Sequence, residues 1–307
     1  MQYKWMRLCS VLLVLGLMFC CGTTFAAELE SWIDYAADGF AGGTGTEDDP
    51  YLIATAEQLA YLAKTVNNDG NNYKDKHFKL QQDIDLARYD WVAIGTRSDN
   101  LYENNDAIFR RTPAFLGNFD GNNKIIKNLT IKKSYVESGL FGLLGLGKVK
   151  NLALINVDIR SCFLGGGVAA QAQFAKIEKC YVSGKIEGFW CLGGIAGFSF
   201  STEVHNSLLN IKIYLSERMP REFKLHHAKY YSFDSHTSLI NTGAVAGGVL
   251  GYVTNFFGLD WPSIIDNCRI AWEIHGGHDL GTNAIAIKEG GTPLTITNCE
   301  IIPNLSY

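Results

Sequence analysis

Short runs in which apolar and polar residues alternate dominate this chain. Ile125-Ile-Lys-Asn-Leu-Thr-Ile131 and Val149-Lys-Asn-Leu-Ala-Leu154 are typical, and their period of two is that of β-strands with one buried face. The runs belong to a larger recurring unit: a Gly-bounded apolar tetrad, a polar stretch of variable length, then Asn followed by alternating apolar residues. Gly139-Leu-Phe-Gly142 leads to Val149-Lys-Asn151, Gly167-Val-Ala-Ala170 to Ile177-Glu-Lys179, and Gly194-Ile-Ala-Gly197 to Val204-His-Asn206. Ala244-Val-Ala-Gly247 leads to Ile265-Asp-Asn267, and Ile296-Thr-Asn298 closes the series. Tetrads begin at 139, 167, 194 and 244, so the steps are 28, 27 and 50 residues. A repeat of that length means stacked supersecondary units. Several short strands per unit, glycine corners and no sustained helical period leave no room for a crossover helix. The pattern predicts an all-β chain, a right-handed parallel β-helix (solenoid) whose coils stack about 4.8 Å apart.

One segment departs from this period. Leu59, Leu62, Ala63 and Val66 form a single apolar stripe at helical spacing, and Thr55 with Gln58 makes a capping-box pattern. This helix, 55–67 within an N-terminal cap of residues 27–77, is expected to cover the open edge of the first coil. The solenoid occupies 78–307, interrupted by insertions at 96–114, 214–240 and 252–263.

The same motifs carry a resemblance. Gly139-Leu-Phe-Gly142 with Lys148-Val-Lys-Asn-Leu152 and Gly193-Gly-Ile-Ala-Gly197 resembles the GLUG repeats of bacterial surface proteins. Upstream segments at 42–67, 78–86, 91–95 and 119–131 resemble the N-terminal β-helix region of IgA-specific metallo-endopeptidases. The resemblance covers roughly 40–212 and implies a scaffold, on which function is grafted separately. The protease chemistry itself is missing, because the sequence holds no His-Glu-x-x-His.

Residues 1–26 read as a secretory signal: Lys4 and Arg7, an apolar run from Leu8 to Phe19, and Thr24-Phe-Ala26 as the cleavage site. Lipidation at Cys20 or Cys21 is disfavoured by bulky Phe19. These 26 residues hold two of the 27 basic residues and none of the 31 acidic ones, leaving 25 against 31, a net charge of −6. Bulk charge therefore argues against a nucleic-acid partner. No second long apolar run predicts an integral membrane segment, and a monomer is expected. Five cysteines follow the signal. Cys180, Cys268 and Cys299 fall where Leu129 and Leu152 sit in earlier coils and are expected to face inward. Cys162 and Cys191 occupy corners one coil apart, where a disulfide is conceivable.

Candidate chemistry is sparse. Glu47, Asp48 and Asp49 match no calcium loop, and Pro50 explains a turn there. His226, His227, His236 and Asp234 lack metal-ligand spacing. No metal or cofactor is expected. Asp83, Asp85, Asp120 and Asp158, with Arg110, Arg111 or Lys132, are the only candidates for a polysaccharide lyase or hydrolase; Asp83, Asp85 and Asp120 read more simply as corner devices. The insertions are more informative, since binding residues concentrate in long loops on rigid scaffolds. Tyr214, Arg218, Arg221, Phe223, Tyr230 and Tyr231, with Phe256, Phe257 and Trp261, form the candidate contact surface. If the insertions leave one edge of the stack, these patches are neighbours. The sequence thus predicts an exported, cell-surface or secreted, non-catalytic protein that binds a glycan or protein partner, with a β-helix lyase or hydrolase and a structural spacer as alternatives.

Overall fold

The computed structural model describes residues 30–96, 113–216, 245–254, 262–275, 281–283, 285–288 and 293–302. It is a parallel β-solenoid. One ladder runs through Tyr51–Ile53, His77–Leu80, Asn118–Lys127, Lys148–Gly166, Lys176–Gly188, Glu203–His205, Ser263–Asp266 and Leu294–Thr297, every pairing parallel. Phe78, Phe119, Val149, Ile177, Val204, Ile265 and Ile296 align on consecutive rungs, the apolar stack that the alternation predicts. On the next wall Ile84, Ile126, Leu154, Val182, Leu209, Ile270 and Ile301 align in the same way. A separate five-stranded wall aligns Phe141, Ala169, Ala196, Leu250 and Ala286. The three inner faces enclose one narrow core.

Corners are set by asparagine. Asn151, Asn206, Asn267 and Asn298 all take positive φ of 50–53°, a region that Asn tolerates better than most residues because its short side chain bonds locally. Their amides also bond between coils: Asn151 Nδ2 donates to Asp120 (3.0 Å), Asn267 Nδ2 to Asn206 Oδ1 (2.6 Å) and Asn298 Nδ2 to Asp266 (3.0 Å). A second ladder links Asp85, Asn128 and Asn156 at 2.8 Å each.

Register corrects one sequence expectation. Gly193 aligns with Gly247, Gly194 N donates to the Gly248 carbonyl, and Ala196 aligns with Leu250. The fourth tetrad is therefore Gly248-Val-Leu-Gly251. Its distance from Gly194 is 54 residues, twice the preceding step of 27. Ala244-Val-Ala-Gly247 imitates the motif locally, but the order of hydrogen bonds between coils decides register.

The helix Ala56–Asn67 has Thr55 as its N-cap, accepting from Gln58 N at 3.3 Å, while Gln58 Oε1 accepts from Ala54 N at 2.8 Å. Its stripe of Leu59, Leu62, Ala63 and Val66 is buried in the core. At its end Asn67 Nδ2 donates to the Ala93 carbonyl (3.0 Å), and Asn67 Oδ1 accepts from Gly95 N (2.7 Å) and Thr96 N (3.1 Å). One side chain thereby satisfies the outer edge of the segment that pairs with Phe141 through Ile94.

Candidate binding surface

Strands Lys148–Gly166, Lys176–Gly188, Leu208–Leu215 and Arg269–His275 present an outer face organised as two rows. Asp158, Lys185, Lys212 and Glu273 align on successive rungs, as do Arg160, Glu187, Tyr214 and His275. Lys185 and Lys212 are like-charged neighbours, and Lys185 Nζ lies 3.7 Å from Glu187 on its own strand. Opposite charges meet at two of the coil contacts, Lys185 Nζ lying 3.2 Å from Asp158 and Lys212 Nζ 3.1 Å from Glu273. Its hydrogen bond and charge hold Lys212 above its ordinary value and Glu273 below its own. Such exposed pairs add little stability singly. At the end of the face Tyr214 stacks on His275, with ring centres 4.5 Å apart and planes 9° apart, and Lys185 Nζ lies 5.9 Å from the Tyr214 ring.

Tyr214 stands two residues before Ser216, whose N–H donates to the Gly188 carbonyl at 2.7 Å. The described chain resumes at Val245, paired with Cys191. Segment 276–280 attaches at the same corner, between His275 and Gly281, which pairs with Val245. Arg218, Arg221, Phe223, Tyr230, Tyr231, Phe256, Phe257 and Trp261 lie outside the described residues, as do the signal segment, His226, His227, His236, Arg110 and Arg111. Segment 255–261 is anchored elsewhere: it follows Thr254, the partner of Phe200, and precedes Ser263 on the opening strand of the next coil. The residues that flank the two aromatic insertions therefore lie at different corners, Leu215 at the end of the charged wall and Thr254 at the end of the five-stranded wall.

A feature not anticipated from sequence links Thr96 and Val245, the described residues that flank segments 97–112 and 217–244. Thr96 Oγ1 donates to Glu137 Oε2 (3.2 Å), and Gln171 Nε2 to Glu137 Oε1 (3.4 Å). Glu137, Leu164, Cys191 and Val245 follow one another rung by rung. Beside them Leu164, Ala170, Cys191 and Phe198 form a small apolar cluster apart from the main core, with Phe163 and Trp190 against each other at 3.9 Å. Thr96 and Val245 are thus tied to one file of rungs beside this cluster. Phe163 and Trp190, apolar residues at corner positions one coil apart, were its only sequence signal.

Three of the four candidate carboxylates are hydrogen-bonded into the scaffold, and the fourth, Asp158, has an ion-pair contact to Lys185 but no hydrogen bond to its Oδ1. Asp83 accepts from Ile125 N (2.9 Å). Asp85 accepts from Asn128 Nδ2 (2.8 Å) and Ala87 N (3.1 Å), and these bonds, led by Asn128, hold its carboxyl below the usual range despite partial desolvation. Burial pushes Asp120 up, but bonds from Asn151, Asn122 N and Lys150 outweigh it, and the carboxyl again stays low. Asp158 pairs with Lys185. A general acid needs the opposite shift. These depressed values have a consequence for folding. Because the folded-state carboxyls titrate below their unfolded value of 3.8, their contribution is complete above that value and is lost as pH falls through the folded one. Melting temperature is expected to hold from pH 7 to about 5 and then fall, less steeply in Asp120→Asn. An equal acid slope in that variant, measured by circular dichroism, would remove Asp120 from the account.

Other candidates resolve simply. Thr44, Gly45 and Thr46 N–H groups converge on the Asp49 carbonyl, so Glu47, Asp48 and Asp49 sit in a tight turn. Among the described residues no three His, Cys, Asp or Glu side chains are grouped to hold a metal. Burial pushes the Cys180 and Cys268 thiols up to about 12 and Cys191 well above its ordinary value, conditions that suppress nucleophilic chemistry. Cys191 is a free thiol and pairs in register with Leu164 rather than Cys162. No helix among the described residues is long and apolar enough to cross a membrane.

Comparison with known proteins gives partial relatives. No protein-family model matches the sequence. The chain is 40% identical over 124 residues to a protein of Evansella cellulosilytica provisionally named a Gly-rich membrane protein, covering 38% of this chain and 12% of that one. It is 32% identical over 168 residues to Halomucin of Haloquadratum walsbyi, covering 53% of this chain and 2% of that one. The chain therefore spans only a small part of the curated relatives it matches. A crystal structure from Bacteroides ovatus, provisionally described as an immunoglobulin A1 protease, superposes with a TM-score of 0.56 at 18% identity, covering 85% of this chain and 78% of that one. The expected likeness to IgA-specific endopeptidases is met at the level of fold, and this chain shares with that structure a parallel β-solenoid.

Proposed function

We propose that this chain is an exported β-solenoid that works at the cell surface, binding a glycan or protein partner without changing it chemically. Tyr214 carries the reading. It is the predicted contact residue that the structure describes, it is paired with the exposed ring of His275, and it stands at the corner from which the basic, aromatic segment departs. A paired aromatic platform with nearby cations suits a sugar ring or a protein side chain. The engaged carboxylates support binding over hydrolysis, and the name of one relative, a membrane protein, agrees with a surface location.

The full chain, printed against a glycan array and surface-protein extracts, is expected to give a specific signal. That signal should be lost when 217–240 is replaced by a short Gly-Ser linker and fall at least tenfold in Tyr214→Ala. A signal unchanged in both variants would remove this corner from the binding surface, and shortening of a polysaccharide by the chain would overturn the non-catalytic reading. A spacer reading is favoured by one observation: the matching segments are small portions of very long relatives. It predicts a rigid rod whose scattering profile is indifferent to the same substitutions.

A further inference from the structure

The N-terminal cap contains a cleft that shares no lining residue with the charged wall. It has a volume of about 350 Å3 and is walled by Phe40, Tyr51, Tyr61 and Tyr73, with Asn71 and the glycines at 39, 42 and 43 completing it. The rings brace one another: Phe40 lies 4.8 Å from Tyr51 and meets Tyr61 edge to face at 5.0 Å, and Tyr73 meets Phe40 at 6.2 Å. Residues 40, 51, 61 and 73 converge because Gly42 bridges Leu52, so the bend at 42–50 folds back beside the helix that carries Tyr61.

The polar groups divide into two kinds. The Tyr73 hydroxyl is used internally, donating to Thr65 Oγ1 at 3.0 Å, and its ring is a fixed wall. Asn71 Oδ1 is likewise occupied, accepting from Tyr73 N at 3.2 Å. By contrast, the hydroxyls of Tyr51 and Tyr61 and the amide nitrogen of Asn71 have no hydrogen-bond partner among the described residues. No lining residue carries a charge.

We propose that this cleft binds a single neutral pyranose residue. Aromatic walls accept the apolar C–H face of such a ring, and a few convergent polar groups fix its hydroxyls. The volume lies at the small end for ligand sites, which suits one ring rather than an extended chain. Without a cation in the lining, an acidic sugar gains nothing over a neutral one. A proline-rich segment would need a longer groove with successive ridges. The site is independent of the surface at Tyr214.

Saturation-transfer NMR on the full chain tests this, using methyl pyranosides of glucose, galactose, mannose and N-acetylglucosamine, with methyl glucuronoside and a proline-rich decapeptide for comparison. At least one neutral glycoside should receive saturation at its ring protons, more strongly than the glucuronoside. Tyr61→Ala should abolish the transfer, and Tyr61→Phe, which keeps the ring and removes only an unpartnered hydroxyl, should weaken binding about three- to tenfold. Tyr35→Ala, outside the cleft, and replacement of 217–240 should leave it unchanged. Because Tyr61→Phe leaves packing intact, it decides the matter even if Tyr61→Ala does not fold. No transfer to any neutral glycoside, transfer unaltered in Tyr61→Phe, or transfer to the decapeptide alone would overturn the proposal.

Discussion

Phe141→Ala is expected to lower unfolding free energy by about 3–5 kcal/mol, the cost of removing a large side chain from a site that cannot collapse. Phe141 is fully buried. Its ring stacks on Phe115 at 5.1 Å and meets Phe119 edge to face at 5.7 Å, and Phe115 in turn packs on Phe78 at 5.4 Å. The backbone around it is pinned on both sides, since Phe141 N donates to the Val168 carbonyl and Gly142 N to the Ile94 carbonyl. The core is narrow in cross-section and walled by these hydrogen-bonded strands, so neighbours cannot shift inward without breaking those bonds. Position in the stack sets the magnitude. Ile296 occupies a core rung of the last described coil and remains 41% exposed, so Ile296→Ala should cost far less than the same truncation at the equivalent Ile265, which is fully buried. Urea midpoints followed by circular dichroism compare the three variants, with an unchanged m-value required for the comparison. A loss below about 1 kcal/mol for Phe141→Ala would contradict a close-packed aromatic stack there.

The stack was legible in the sequence because a strand's period of two is local. So were the corners, since the Asn that follows each apolar run takes positive φ at 151, 206, 267 and 298. Corner chemistry is nonetheless permissive: Lys179 takes the position of Asn151 and Asn206 at a φ of 52°, held by the coils on either side. What the sequence did not determine was register across an insertion. Ala244-Val-Ala-Gly247 has the right letters, yet hydrogen bonds place Gly248 beneath Gly194. Nor could sequence say which corner each insertion leaves, because that depends on counting rungs. The cap cleft was hidden for a related reason. Phe40, Tyr51, Tyr61 and Tyr73 follow no period, and only the bend at Gly42 and the placement of the helix bring them together. The candidate surface at Tyr214 was found by composition, a basic and aromatic stretch in an acidic chain, whereas its partner His275 lies 61 residues away by numbering and is joined to it only by register.

Gly193→Ala is expected to be among the most damaging single-methyl additions in the chain, costing about 3 kcal/mol or more, at or beyond the upper end for overpacking. A Cβ on Gly193 would meet the carbonyl oxygen of Ala196 first, then Gly251 N at 2.6 Å and Ala196 C at 2.8 Å. All three are backbone atoms, so no rotamer change relieves the clash. The cause is the tight bend between the strand Cys191–Gly193 and the strand Ala196–Phe200, which folds the chain back on itself and toward the following coil. Gly166 occupies the same rung one coil earlier, and a Cβ there would meet Ala169 O and then Ala196 Cα at 2.9 Å. Gly166→Ala and Gly193→Ala therefore strain a shared piece of backbone, and the double variant should depart from additivity. Gly39→Ala is the control: no atom lies within 4 Å of the added methyl and its φ is ordinary, so stability should stay level or rise slightly. The bend also has a functional consequence. Gly193 is two residues past Cys191, whose rung partner Val245 is the first described residue after segment 217–244. Misplacing that rung displaces one anchor of the proposed contact surface, so Gly193→Ala should weaken partner binding even below its melting temperature. Gly39→Ala, at a position that lines the cap cleft and not this corner, should leave binding at Tyr214 intact, and equal thermal midpoints for the two glycine variants would show that the bend has more room than its backbone contacts indicate.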